Sequence, residues 1–223
     1  MAKWTTTRKV FLVAGLAASA IAANAQAAVP DAILLEDLPA GSSLEARLDA
    51  DIDGDGLSDV AFVGGNEDQR WLVAKIAHPG GFEPASIGRN LQPYPLGPAS
   101  LSVKKNVLLV EDLTGGTTAT AATYRYRFDP AAKRMRLIGL DAERYSRTNS
   151  HDSLKISWNL LTGAHEVVRG MLDAHPEGDD DAAYRYTKPD RTLRKSNPVY
   201  MEDTPDPDDL IDAEVVPADE DRD

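Results

Sequence analysis

The sequence predicts an all-β protein: an antiparallel meander, propeller-like or sandwich in arrangement, with a disordered acidic C-terminal tail. Short apolar runs recur along the chain, and turn residues such as Gly64-Gly65-Asn66 and Pro79-Gly80-Gly81 separate them. Between the N-terminal apolar run and the tail, no stretch repeats apolar residues at i, i+3, i+4 and i+7 beyond about two helical turns. Many short strands and few helices are therefore expected.

Alternation with period two is plainest at residues 124–128, which read Tyr-Arg-Tyr-Arg-Phe. This pattern predicts a strand with its aromatic side chains in the core and its two arginines, Arg125 and Arg127, on the solvated face. Eight further runs are predicted to be strands: Asp59–Val63, Trp71–Ile76, Leu101–Val103, Val107–Val110, Arg134–Leu140, Leu154–Trp158, Val167–Leu172 and Tyr184–Tyr186.

The first 25 residues have the layout of a cleavable secretory signal peptide. Three basic residues precede an uncharged apolar run, Val10–Ala23, and small residues at alternate positions predict cleavage so that the mature chain starts near Gln26 or Ala28. The run is too short to span a membrane comfortably, and no second one of about 20 residues follows. We therefore expect a periplasmic or secreted protein without a membrane anchor after cleavage.

The chain contains no cysteine, so disulfides, thiolate nucleophiles and zinc-thiolate sites are excluded. Stability must come from a hydrophobic core, and residues 26–200 are numerous enough to form one β domain. The formal net charge is −12, with 24 Lys+Arg against 36 Asp+Glu. Such a charge argues against nucleic acid as a partner.

Residues 201–223 carry eleven acidic side chains against one arginine, Arg222, and contain three prolines. Few large apolar residues interrupt this segment, so burial is not expected to offset the entropy of ordering it. The tail is predicted to be disordered. Two roles stay open at this stage: a solvating tail, or an electrostatic arm for a basic partner.

The segment that carries the most specific chemistry is the nine-residue loop 51–59, Asp-Ile-Asp-Gly-Asp-Gly-Leu-Ser-Asp, with carboxylates at positions 1, 3, 5 and 9. Several carboxylates in one folded loop repel each other, whereas a hard divalent cation neutralises them and accepts six to eight oxygen ligands. The predicted calcium ligands are the carboxylates of Asp51, Asp53, Asp55 and Asp59 and the carbonyl of Leu57. The alternative is a solvated acidic turn without an ion.

The loop followed by Val60-Ala61-Phe62-Val63-Gly64 resembles the calcium loop and strand of FG-GAP or VCBS repeats. Such repeats usually form β-propeller blades, but the signature occurs once here. More broadly, the chain is similar to small exported VCBS-like proteins with a single loop, some of which resemble periplasmic lysozyme inhibitors. Those proteins serve as immunity proteins against peptidoglycan hydrolases. The resemblance thus implies calcium and a basic secreted hydrolase as partner.

No catalytic motif emerges from the remaining residues, and we predict no catalytic residues and no enzyme activity. The four histidines lack metal-ligand spacing, and His151-Asp152-Ser153 are chain neighbours that point in different directions on a strand or turn. Three functions remain: an inhibitor or immunity protein, a calcium-dependent envelope module that binds glycan or protein, and, least favoured, a hydrolase.

Overall fold

The structure, a computed structural model, describes residues 28–84, 86–173 and 184–215. The predicted signal peptide lies outside the described residues, as do residues 216–223 of the tail. Within the described part of the chain, no helix is long and apolar enough to cross a membrane.

The first sheet is a four-stranded antiparallel meander in the order β1-β2-β3-β6. Its elements, with the short helix before it and a small hairpin beside it, are α1 (Asp31–Leu35), β1 (Ser43–Ala50), β2 (Asp59–Gly65), β3 (Arg70–Lys75), β4 (Ala77–His78), β5 (Gly81–Phe82) and β6 (Ser86–Leu91). Its inner strands are buried on both faces, because helix α1 and Leu38 cover the face that carries Val60, Phe62 and Val73. This double burial explains why residues 60–63 form an uninterrupted apolar run.

The second sheet is a longer antiparallel meander in the order β7-β8-β9-β10-β11-β12-β13. Its strands are β7 (Ser100–Val103), β8 (Leu108–Gly115), β9 (Thr118–Asp129), β10 (Arg134–Ser146), β11 (Ser153–Asn159), β12 (Ala164–Leu172), β13 (Tyr184–Tyr186), β14 (Asp190–Leu193) and β15 (Val199–Tyr200). Strand β14 also pairs with β12, and β15 pairs with the start of β10. Each of the nine runs predicted to be strands overlaps one of these elements, so the all-β antiparallel prediction is confirmed.

One hydrophobic core joins the two sheets. Ala61, Val63 and Leu72 from the first sheet belong to the same cluster of buried residues as Leu108 and Tyr126 from the second. Side chains alternate along β9 as the sequence pattern requires, with Tyr124 and Tyr126 buried and Arg127 exposed. Two sheets that share one core form the sandwich alternative of the sequence prediction.

A buried arginine also connects the sheets. The guanidinium of Arg70, at the start of β3, donates two 2.7 Å bonds to the carboxylate of Glu45 on β1. The same group donates to both carboxylate oxygens of Asp112 on β8, at 3.0 and 3.3 Å, and to the carbonyl of Gln92 at 2.7 Å. Because Arg70 is only 3 % exposed, this network joins the two sheets through a buried cation.

The prediction of a disordered tail from residue 201 onward is wrong for residues 201–215. This segment begins with a 3-10 helix (Met201–Asp203), which packs against β6 and β10, and continues into α2 (Pro207–Asp212), which lies on the second sheet. Met201, Leu210 and Ile211 are buried in the common core. A few well-spaced apolar anchors therefore suffice to order a segment whose overall composition is acidic.

The acidic side chains of this segment pair with arginines of the β sheets. Arg89 contacts Asp206 at 3.0 Å, and Arg144 contacts Asp208 at 3.0 Å and Asp212 at 2.6 Å. Of the two roles left open for the tail, a free electrostatic arm does not fit Asp206, Asp208 and Asp212, since these acids are already held by the protein's own cations.

Candidate metal centre

The acidic loop is the connection of the hairpin formed by β1 and β2, whose last and first residues, Ala50 and Asp59, are paired. Gly54 and Gly56 have φ values of +92° and +89°, which L side chains rarely adopt. A Cβ atom on Gly54 would also lie 2.1 Å from the side-chain nitrogen of Asn106. The backbone conformation therefore favours glycine at Gly54, and a side chain there would displace that of Asn106.

Three of the four aspartates in the loop converge. Asp51, Asp53 and Asp59 each offer a carboxylate oxygen, and these three oxygens lie within 4.8 Å of one another. Oxygens at this spacing could hold a metal ion. The donors are all carboxylates, with no histidine in the group, which suits a hard cation of the calcium or magnesium class.

Asp59 is completely buried and organises the loop through its backbone hydrogen bonds. One of its oxygens accepts from the N–H of Ile52 at 2.6 Å and of Asp53 at 3.3 Å, and the other accepts from the N–H of Ala77 at 2.7 Å. Since a carboxylate offers about four lone-pair directions, three are used and one is left for a cation. Burial raises the pKa of Asp59 to about 6, although these hydrogen bonds oppose the rise.

Asp51 and Asp53 keep more free lone pairs than Asp59. The two oxygens of Asp51 accept one bond each, from the N–H groups of Gly54 at 2.6 Å and Gly56 at 3.0 Å. Asp53 accepts from the N–H of Asp55 at 3.1 Å. Desolvation, followed by the proximity of Asp55 and Asp51, raises the pKa of Asp53. A cation in the cluster would offset both the desolvation of Asp53 and its repulsion by the neighbouring carboxylates. Because Asp53 accepts a single bond, it is the carboxylate most available to the ion.

The other two predicted ligands are not part of the cluster. The carboxylate of Asp55 is exposed and accepts from the N–H of Leu57 at 2.7 Å, and Leu57 itself is half-buried. Asp49, which lies just before the loop on β1, is bound by Arg47 at 2.7 and 2.8 Å. That guanidinium holds the pKa of Asp49 below its usual range.

Asn106 is a neighbour of the loop that the sequence did not reveal. Its side-chain nitrogen donates to the carbonyl of Asp53 at 3.3 Å, and it lies in the turn between β7 and β8. Lys105 and Asn106 both have positive φ, as a two-residue hairpin turn requires. Asn106 thus contacts a loop that lies 53 residues earlier in the chain, and this contact depends on the packing of the two sheets.

The candidate triad His151, Asp152 and Ser153 is not connected in space. The ring of His151 contacts the hydroxyl of Thr118 at 2.8 Å and the backbone carbonyl of Asp152 at 2.7 Å. The carboxylate of Asp152 accepts from the N–H of Leu172. These three side chains therefore lack the serial hydrogen bonds of a hydrolase triad.

No protein-family model matches the chain, and the searches of curated proteins and of solved structures also found no match. The resemblance to VCBS repeats and to lysozyme inhibitors therefore stays a prediction that rests on the residues quoted for it.

Proposed function

We propose that this chain is a calcium-binding, non-enzymatic protein of the bacterial envelope, periplasmic or secreted, in which the ion stabilises the β1–β2 hairpin. The observation that carries the proposal is the convergence of Asp51, Asp53 and Asp59 on one point. Asp55 and the carbonyl of Leu57 complete the ligand set when the ion draws the exposed part of the loop inward. The role of the ion is structural, because the loop leads directly into a buried strand.

Calcium fits this loop better than magnesium. Calcium accepts six to eight oxygens in irregular geometry, whereas magnesium requires a near-ideal octahedron and keeps several waters. Three carboxylates in the cluster, with Asp55 and Leu57 beside them in the same short loop, supply the larger number of protein oxygens.

Replacing Asp53 with Ala is expected to remove the stabilisation by calcium. The wild-type protein melts at a higher temperature in calcium than in EDTA, because an ion bound only to the folded state stabilises it by mass action. A calcium concentration of about 100 times the dissociation constant corresponds to about 2.7 kcal/mol. In Asp53→Ala the difference between the two conditions disappears.

The matched control is Asp68→Ala, which removes an exposed aspartate from the hairpin turn between β2 and β3. Thermal unfolding of the three proteins in calcium and in EDTA checks the prediction, and Asp68→Ala keeps the full difference. A calcium-dependent rise in melting temperature that survives in Asp53→Ala would place the ion elsewhere.

An acidic cavity supports a second candidate function, inhibition of a basic peptidoglycan hydrolase. The cavity, of about 770 Å³, lies at the end of the first sheet between the β2–β3 turn and residues 93–95. Glu67 and Asp68 on its rim are exposed, whereas Glu45 in its wall is bound to Arg70. The exposed carboxylates of Glu67 and Asp68, beside this cavity, suit a cationic side chain of a partner. The negative net charge of the protein also increases its rate of association with a basic enzyme.

A panel of lysozyme-type hydrolases distinguishes this candidate from a calcium-dependent envelope module that binds glycan or protein. If the protein is an inhibitor, it blocks peptidoglycan lysis stoichiometrically, and the double variant Glu67→Gln/Asp68→Asn blocks it at least tenfold less well, as expected when interfacial charge pairs are lost. The control variant, Glu36→Gln/Asp209→Asn, neutralises two exposed acids elsewhere. Undiminished lysis across the panel would reject inhibition and leave the binding module.

A further inference from the structure

Two arginines lie side by side on neighbouring strands of the second sheet, and neither forms an ion pair with a described residue. Arg127 on β9 is the direct cross-strand partner of Arg136 on β10. Cross-strand partners project from the same side of a sheet, and like charges in that arrangement destabilise it. In an acidic protein, such a pair is an unfavourable arrangement unless something anionic joins it.

Neighbouring arginines of the same two strands are all paired. Arg125 contacts Asp141 at 2.6 Å, Arg134 contacts Glu202 at 3.0 Å, and Arg144 contacts Asp208 at 3.0 Å. By contrast, no carboxylate of the described residues lies within ion-pair distance of Arg127 or Arg136. The Nε atom of Arg136 is buried and has no hydrogen-bond partner in that part of the chain. An unsatisfied guanidinium nitrogen that is shielded from water is costly and indicates a missing acceptor.

Arg127 and Arg136 both line a cavity of about 230 Å³. Ile138 and Leu161 form its apolar wall, and the side chain of Leu161, at the β11–β12 turn, is 51 % exposed. Asp129 also borders the cavity, but its oxygens already accept from the N–H groups of Ala131 and Ala132 and from the hydroxyl of Tyr200. The carboxylate of Asp129 is thus held mainly by its own turn; it attracts Arg136 electrostatically but forms no ion pair with either arginine.

We propose that Arg127 and Arg136 bind a carboxylate that carries a short apolar group. Planar guanidinium groups match the geometry of a carboxylate and donate to both of its oxygens. The hydrocarbon portion of the ligand covers Ile138 and Leu161. This site is independent of the metal centre, which lies in the β1–β2 hairpin of the other sheet.

Butyrate, acetate and sulfate are the probes, each compared with chloride at the same ionic strength. Titrations followed by isothermal calorimetry and by the NMR signals of the arginine Nε–H groups are expected to give a dissociation constant on the order of 1 mM for butyrate. Acetate binds roughly three- to tenfold more weakly, because it lacks two methylene groups that would be buried against the wall. Sulfate, which has no apolar part, also binds more weakly than butyrate.

Arg127→Gln and Arg136→Gln each weaken butyrate binding at least tenfold, as expected for the loss of charge-assisted hydrogen bonds. Neither variant melts below the wild type without ligand, since each relieves the repulsion between the two cations. Arg147→Gln, which removes an exposed arginine near Gly116, leaves butyrate binding unchanged.

The site is rejected if butyrate binds Arg127→Gln and Arg136→Gln as it binds the wild type, or if the wild type binds none of the three anions. Equal affinities for butyrate and acetate would reject the apolar wall. Sulfate binding tighter than butyrate would reject the carboxylate assignment. Melting temperatures of all four proteins, measured beside the titrations, verify that each variant is folded.

Discussion

Arg70→Met is expected to lower the free energy of unfolding by about 3–5 kcal/mol, the range found when one partner of a buried ion pair is removed. Met fills a similar volume but leaves the side chains of Glu45 and Asp112, which are 18 % and 4 % exposed, without their cation. For a domain of this size, the corresponding fall in melting temperature is roughly 10 °C. Chemical denaturation, with the calcium concentration held fixed, measures the free energy directly.

Arg47→Met is the matched control, because Arg47 is also held by two carboxylates but at the surface. It contacts Asp31 and Asp49, which are 65 % and 36 % exposed. Exposed ion pairs contribute about 0–1 kcal/mol, so this variant is expected to lose little stability. If Arg70→Met and Arg47→Met lose the same free energy of unfolding, the buried network of Arg70 stabilises the protein no more than the surface ion pairs of Arg47.

A triple variant, Glu45→Gln/Arg70→Met/Asp112→Asn, separates the loss of packing from the cost of unpaired charges. It removes every charge of the network, and we expect it to recover part of the stability lost in Arg70→Met. A triple variant less stable than Arg70→Met would show that the two acids are stabilised by contacts other than the arginine.

Local pattern predicted strands β7 to β13 of the second sheet, whereas the exposed β14 and the two-residue β15 were not predicted. Alternation of aromatic and charged residues survives in β9, because one face of that strand packs on the core and the other meets solvent. Strand β1 was missed, although it too alternates, because Glu45, Arg47 and Asp49 intervene between small or partly buried apolar residues. Because β1 lies at the edge of a sheet, none of its apolar side chains is fully buried, and its sequence shows only a weak hydrophobic pattern.

The amino-acid composition of the C-terminal segment led to a wrong prediction of disorder for residues 201–215, because a composition averages over residues that behave differently. Met201, Leu210 and Ile211 are few, but each is buried. The acids between them pair with arginines that lie 60 or more positions away in the sequence, such as Arg144 with Asp208. Neither effect is visible in a count of charges, since both depend on which surface the segment meets.

The candidate metal centre was predicted by spacing, and its details depend on the fold. Alternate aspartates in a glycine-containing loop identified the carboxylates that converge, Asp51, Asp53 and Asp59. The sequence could not reveal that Asp59 is the buried one, because its third hydrogen-bond donor, the N–H of Ala77, lies 18 residues away. Asp59 therefore also holds the hairpin together through its backbone hydrogen bonds, whether or not an ion is bound.

Asp59→Ala is expected to destabilise the protein by about 3–5 kcal/mol even in EDTA, where calcium cannot contribute. The substitution leaves three backbone N–H groups without acceptors, those of Ile52, Asp53 and Ala77. Each buried donor left unsatisfied costs about 1–3 kcal/mol, and partial hydration of the more exposed Asp53 N–H keeps the sum near the lower end. Denaturation in EDTA measures this cost.

Asp53→Ala in EDTA is the control, because Asp53 accepts a single bond, from an exposed N–H. It is expected to lose less than about 1 kcal/mol, so the two aspartates separate into one that supports the hairpin and one that serves the ion. Asp59→Asn keeps one acceptor oxygen and should lose less than Asp59→Ala, which provides a second measurement if the alanine variant does not fold. Equal losses for Asp53→Ala and both Asp59 variants in EDTA would contradict this division, because the fold would then depend on the loop's charge and not on the three hydrogen bonds to Asp59.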